Sequence, residues 1–163
     1  MRSTGVNICN PSGLNLCAVL IAVLALTGCS SPLPVAPRSN LSRESAVTIA
    51  QRTAEVAGGR VFMIAPTGSM KPTLDENSVV AVEAVAFDQL RTGDIVIYRS
   101  LSGAPIVHRL YEKVHGCWFV LGDNNAKVDR EAVTETNLLG RVCAIFYTSS
   151  GSRGVNQAAL ALR

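Results

Sequence analysis

Ser69 lies in the stretch Ala65-Pro66-Thr67-Gly68-Ser69-Met70-Lys71-Pro72-Thr73-Leu74. Glycine, serine and proline cluster in ordinary turns for conformational reasons, so the stretch alone does not make Ser69 reactive. A serine hydroxyl is a weak nucleophile and needs an adjacent proton acceptor, usually histidine or lysine. The chain offers two histidines, His108 and His115, and three lysines, Lys71, Lys113 and Lys127. Lys71 would have to fold back across the constrained backbone of Pro72, and Lys127 sits in a polar, turn-rich segment. His108 and Lys113 share the run Ile106-Val107-His108-Arg109-Leu110-Tyr111-Glu112-Lys113-Val114. Their odd separation directs them to opposite faces of a regular strand. His108 shares its face with Ile106 and Leu110, the inward side, whereas Arg109, Tyr111 and Lys113 read as outward. His115 falls in His115-Gly116, a hairpin turn. His108 is thus the base candidate, set against the plainer reading of a histidine packed in the core.

Six apolar or β-branched runs must position these groups: Val61 to Ala65, Ser78 to Val85, Ile95 to Arg99, Ile106 to Val114, Cys117 to Leu121 and Arg141 to Tyr147. Turn signals such as Thr92-Gly93-Asp94 and Gly122-Asp123-Asn124 separate them. Six short strands without intervening helical patterns predict a mostly β, compact antiparallel domain. One short N-terminal helix precedes it, from Arg43 to Ala57, with Val47, Ala50, Ala54 and Ala57 on its apolar side and Gly58-Gly59 to end it.

Ahead of the helix, Arg2 is followed by an apolar run from Leu16 to Leu26. That run suits a signal-peptide core and falls short of the roughly 20 residues that span a bilayer. Leu26-Thr27-Gly28-Cys29 then resembles a bacterial lipobox. The resemblance implies removal of residues 1–28 and lipidation of Cys29, with an uncleaved signal anchor as the alternative. Residues 29–42 carry prolines and serines without hydrophobic periodicity and read as a tether off the membrane. The expected catalytic domain is 43–148, and 149–163 form a C-terminal tail. Either reading places the domain on the extracytoplasmic side of a bacterial membrane, and more than one acyl chain would make attachment stable.

A chain of 163 residues suits one domain, and 48% hydrophobic with 17% charged residues describes a globular protein with an added apolar segment. A net charge of +3 without runs of Lys or Arg argues against nucleic acid as a partner. No cofactor is expected. A metal site is also unexpected, since neither a CxxC nor an HExxH pattern occurs. Cys117 and Cys143 are the two cysteines of the expected domain. They would form a disulfide if their strands are neighbours in an oxidising compartment, and otherwise remain two thiols.

With these residues in place, the sequence resembles the type I signal peptidases. Ser69-Met70-Lys71-Pro72-Thr73-Leu74 is similar to their nucleophile box, Gly93-Asp94-Ile95-Val96 to the glycine-aspartate turn, and Gly122-Asp123-Asn124-Asn125 with Asp129 to the late acidic box. The commoner bacterial enzymes carry a general-base lysine where this chain has Ile106-Val107-His108-Arg109. That version resembles the archaeal and endoplasmic-reticulum signal peptidases, in which histidine replaces lysine and an aspartate of the late box assists it.

The resemblance implies a Ser/His/Asp endopeptidase in which Ser69 attacks and His108 accepts its proton. Asp129 matches the later aspartate of the histidine-type box, while Asp123, in a turn where it could bond its own backbone, stays the competing assignment. The Ser69 backbone N–H is one available oxyanion donor, and the resemblance adds the Thr67 hydroxyl. Arg130 and Arg141 lie near the late box, either pairing with an aspartate or solvated, the latter favoured. An exported polypeptide bound as an extended strand is the implied substrate, with Val61 to Ile64 and Val79 to Val85 as walls and cleavage after small residues. A lipid in place of a transmembrane anchor points to a dedicated substrate rather than general signal-peptide processing. Two other classes stay open. One is an inactive lipoprotein that binds extended peptides. The other is a self-cleaving regulator of the related repressor type, disfavoured because the leading residues read as an export signal rather than a DNA-binding segment.

Overall fold

The computed structural model describes residues 35–149; the apolar run, Cys29 and the residues from 150 onward lie outside it. Helix α1 spans Arg43–Val56, and six strands follow: β1 (Arg60–Met63), β2 (Ser78–Glu83), β3 (Ile95–Arg99), β4 (Pro105–Val114), β5 (Cys117–Leu121) and β6 (Leu138–Tyr147). A single turn of 3-10 helix, Phe87–Gln89, links β2 to β3. The strands form one sheet in the order β1-β2-β6-β3-β4-β5, every neighbouring pair antiparallel. The expected mostly β architecture with one short N-terminal helix is the one observed.

Successive side chains of β3 enter two different clusters, following the two-residue period of a strand. In β3, Ile95 and Ile97 enter a cluster with Ile64, Met70, Leu74, Val80 and Val82. Val96 and Tyr98 enter a second one with Leu90, Leu110, Trp118, Val120 and Val133 on the opposite face. A strand covered on both faces needs apolar residues at successive positions, which is why Ile95-Val96-Ile97-Tyr98 runs without a polar break. Each such side chain, fully buried, contributes about 1.5–3 kcal/mol by leaving water. Register shifts interrupt the ladders at Ala81/Val82, Ile97/Tyr98 and Leu110/Glu112. Such bulges increase local twist and let the sheet curl.

Helix α1 begins at Ser42, whose hydroxyl accepts from the Ser45 N–H at 3.2 Å, a cap that satisfies one of the free donors of the first turn. Its buried stripe is Ala46, Ala50 and Ala54, packed near Val79, Val61 and Phe146. The expected stripe was right at Val47, which packs against this cluster, and at Ala50 and Ala54. Ala46 fills the first turn, and Ala57 is the C-cap instead of an interior residue.

The tether boundary at residue 42 is corrected by the fold. Ala36 is buried, Arg38 forms an ion pair with Asp75 at 2.7 Å, and the Ser39 hydroxyl bonds the Tyr147 carbonyl. Leu41 packs under α1, and its carbonyl accepts from the Ser149 N–H at 3.0 Å. These contacts are made singly and leave no period, and residues 36–42 belong to the domain. Among the described residues no helix is long and apolar enough to cross a membrane.

Candidate active site

Ser69 follows β1 through the turn-rich loop 64–77, and His108 sits on β4 opposite Val96 of β3. Asp129 lies in the long β5–β6 connection, which returns along β5: the Asp129 N–H donates to Val120 O at 2.9 Å, and Trp118 and Val133 exchange two backbone bonds. Val120 is paired with Leu110, two residues from His108 on the same strand. The connection therefore delivers the Asp129 carboxylate to the histidine.

Three side chains meet in a line. Ser69 Oγ is 3.2 Å from His108 Nε2, and His108 Nδ1 is 2.5 Å from Asp129 Oδ2. His108 is buried and Ser69 half-buried at the mouth of a cleft. The same Asp129 oxygen accepts from the Tyr98 hydroxyl at 2.7 Å. Burial, then the bond to Asp129, pushes the Tyr98 phenol far above its ordinary value, so it remains a donor. Tyr98 is absent from the sequence-based set of candidates; its only sequence signal is that it shares a strand face with Val96, the partner of His108.

Asp123 does not reach His108 by a hydrogen bond. Its carboxylate accepts from Arg109 Nε at 2.8 Å and Nη2 at 2.7 Å, and from the Thr73 hydroxyl. Burial raises its pKa, but the Arg109 guanidinium and the Thr73 hydroxyl together outweigh that and hold it below the usual carboxylate value. Arg109 also donates to Gly93 O at 2.8 Å. Thr73 belongs to the loop of Ser69, Arg109 to the strand of His108, and Gly93 to the glycine-aspartate turn, so Asp123 and Arg109 tie three segments together. The reading of Arg109 as simply outward missed this pair, because strand alternation says which face a residue takes and not what a returning loop brings to that face.

Backbone contacts complete the clamp. The Asn124 N–H donates to Ser69 O at 2.8 Å, and Asn124 Nδ2 to Gly68 O at 3.2 Å. A Cβ on Gly122 would lie 2.7 Å from Ser69 O, so a larger residue there would displace the loop. Gly68 has φ +73°, a left-handed conformation that glycine adopts without cost. Thr67 Oγ1 lies 3.3 Å from Ser69 Oγ, and the Ser69 N–H points at Thr67 Oγ1 across 3.5 Å, too long for a firm bond. Lys71 joins the loop through its backbone N–H, to Gly68 O at 3.2 Å.

The cleft beside Ser69 has a volume of about 370 Å³. Phe62 to Ala65 form one wall and Pro105 to His108 the other, with Leu74 and Ile97 buried below. The expected wall at Val79 to Val85 is corrected: β2 is buried as the second strand of the sheet, between β1 and β6. Arg141 pairs with Glu83 at 2.7 Å and Asp94 at 3.5 Å instead of the late box, and Arg130 is exposed.

Cys117 and Cys143 are free thiols, which corrects the candidate disulfide. Their strands, β5 and β6, are separated by β3 and β4, and three strand spacings of roughly 4.8 Å exceed the reach of a disulfide. No group of three or more His, Cys, Asp or Glu residues suited to a metal ion occurs among the described residues. Cys29 lies outside them.

A search of curated protein sequences finds no match. The family model described as Peptidase S24-like matches residues 34–143, more than half of the chain and a span that contains Ser69, His108 and Asp129. A mostly β serine-peptidase-type domain is what that match and the sheet together describe, and the chain belongs to the Peptidase S24-like family.

Proposed function

We propose that the protein is a membrane-tethered serine endopeptidase of the signal-peptidase kind, with a Ser/His/Asp site, that cleaves exported polypeptides after small residues. The observation that carries this reading is the 3.2 Å approach of Ser69 Oγ to His108 Nε2, backed by Asp129 on the far ring nitrogen.

In the proposed reaction, His108 Nε2 takes the Ser69 proton as Oγ bonds to the scissile carbonyl carbon. Asp129 accepts the Nδ1–H bond, fixing the tautomer that leaves Nε2 free and stabilising the imidazolium. The Ser69 N–H and the Thr67 hydroxyl turn to the oxyanion, the 3.5 Å between the N–H and Thr67 Oγ1 being too long to compete. The tetrahedral intermediate collapses as Nε2 returns the proton to the leaving amine, and water hydrolyses the acyl-enzyme by the same route.

The peptide lies extended along the free edge of β1, so main-chain bonds give affinity and the cleft reads alternate side chains. Apart from His108, the lining carries no ionisable side chain, which favours uncharged residues beside the cut. Lipid on Cys29 holds the domain at the extracytoplasmic face of a bacterial membrane, where such chains emerge.

Incubation of the purified domain with peptides bearing alanine, leucine, aspartate or lysine at one position tests the reading. Cleavage after alanine, abolished in Ser69→Ala, supports it; peptides bound but left intact would instead establish a binding module. For the tether, the mass of membrane-extracted protein should be that of a diacylated or triacylated chain beginning at Cys29. A chain beginning at Met1 would overturn that part.

A further inference from the structure

We infer that Asn124 is a positioning residue that aims the Ser69 backbone N–H at the oxyanion, acting through the carbonyl of the same peptide unit. The inference rests on Ser69 being the nucleophile. Asn124 binds both carbonyls that flank Ser69, Ser69 O with its backbone N–H and Gly68 O with its side-chain amide. The Gly68 carbonyl and the Ser69 N–H belong to one trans peptide, since the single cis bond among the described residues is Lys71-Pro72. In a trans unit the carbonyl and the N–H point in opposite directions, so whatever holds one sets the other.

An anchor is needed at this point in the chain. Gly68 lacks a Cβ and sits at φ +73°, so rotation of the 68–69 peptide meets little steric resistance. The N–H has no firm partner of its own, being 3.5 Å from Thr67 Oγ1. Gly68 O has two donors, Asn124 Nδ2 and the Lys71 N–H, each at 3.2 Å. The Lys71 bond belongs to the loop and moves with it. Asn124 ties the peptide to the β5–β6 connection, which also carries Asp129, so both halves of the transition-state apparatus hang from one segment. A bonded carbonyl also polarises the N–H of its peptide and strengthens it as a donor.

The test uses Asn124→Ala and the isosteric Asn124→Asp, both of which keep the backbone bond to Ser69 O. Cleavage of an alanine-containing peptide should show kcat reduced about tenfold with KM unchanged, the loss of one neutral hydrogen bond expressed only in the transition state. Asn124→Asp should lose at least as much, because it turns an acceptor toward the carbonyl. Affinity for a peptide boronate, whose adduct on Ser69 is tetrahedral, should fall in parallel, while affinity for the cleaved product peptide stays constant. Product affinity falling together with kcat, or kcat unchanged in both variants, would overturn the inference. The Ser69 amide resonance gives a readout independent of turnover. If the unaltered enzyme cleaves nothing, the proposed function fails, and an unmoved Ser69 amide in both variants would then overturn the role of Asn124 separately.

Discussion

Replacing Asp123 with alanine separates its role from that of Asp129. The substitution strips two guanidinium bonds from Arg109 and one hydroxyl bond from Thr73. Breaking a fully buried ion pair costs about 3–5 kcal/mol, and an exposed one about 0.2–1 kcal/mol. The Asp123 side chain is 14% exposed and that of Arg109 35%, so solvent screens the pair in part and a loss of about 2 kcal/mol is expected. For a domain of this size that lowers Tm by about 8 °C. The pH dependence has a definite sign. Because the folded Asp123 carboxyl titrates below its ordinary value, its stabilisation is complete above about pH 4 and is lost as pH falls through the folded value. Urea denaturation of both proteins should show a gap that is widest near pH 7 and closes below about pH 4. Catalysis should drop about tenfold, since the loop of Ser69 loses one tie to the strand of His108. A gap that stays constant with pH would mean that packing and not charge was lost. Unchanged stability with activity as low as that of His108→Ala would make Asp123 the catalytic aspartate and refute the assignment.

Three further outcomes are expected. Thr67→Val keeps the branched shape but removes the hydroxyl near Ser69, and should lower kcat about a hundredfold in steady-state kinetics if the hydroxyl is an oxyanion donor. Tyr98→Phe leaves Asp129 without its phenolic donor; urea titration should show a stability loss of about 1.5 kcal/mol, together with a severalfold fall in kcat/KM. Cys117 and Cys143 should both react with a thiol reagent on the unfolded, unreduced protein, and reduction should leave Tm unchanged, as expected for strands that are not neighbours.

Much of the fold was legible because the strands are rich in apolar and β-branched residues and are separated by turn residues, and strand alternation alone placed His108 on the inward face. What alternation cannot supply is the partner that crosses it. Arg109 read as an outward residue until the β5–β6 connection brought Asp123 to it, and nothing in the pattern singled out Tyr98, whose hydroxyl donates to Asp129. Ala36 to Ser42 read as tether because single contacts such as Arg38 with Asp75 leave no period. The wall at β2 failed for a topological reason: β6 pairs beside β2, a pairing between distant segments that local pattern does not encode. Asp123 and Asp129 were separable only once the path of the late segment was known.

The most direct test of the Ser69–His108 pair compares kcat/KM on one alanine-containing peptide for Ser69→Ala, His108→Ala and the double variant. Two groups that act as one unit should each cost on the order of 10⁴-fold or more, with the double variant no worse than either alone. Full activity in His108→Ala, or losses that multiply in the double variant, would contradict the account.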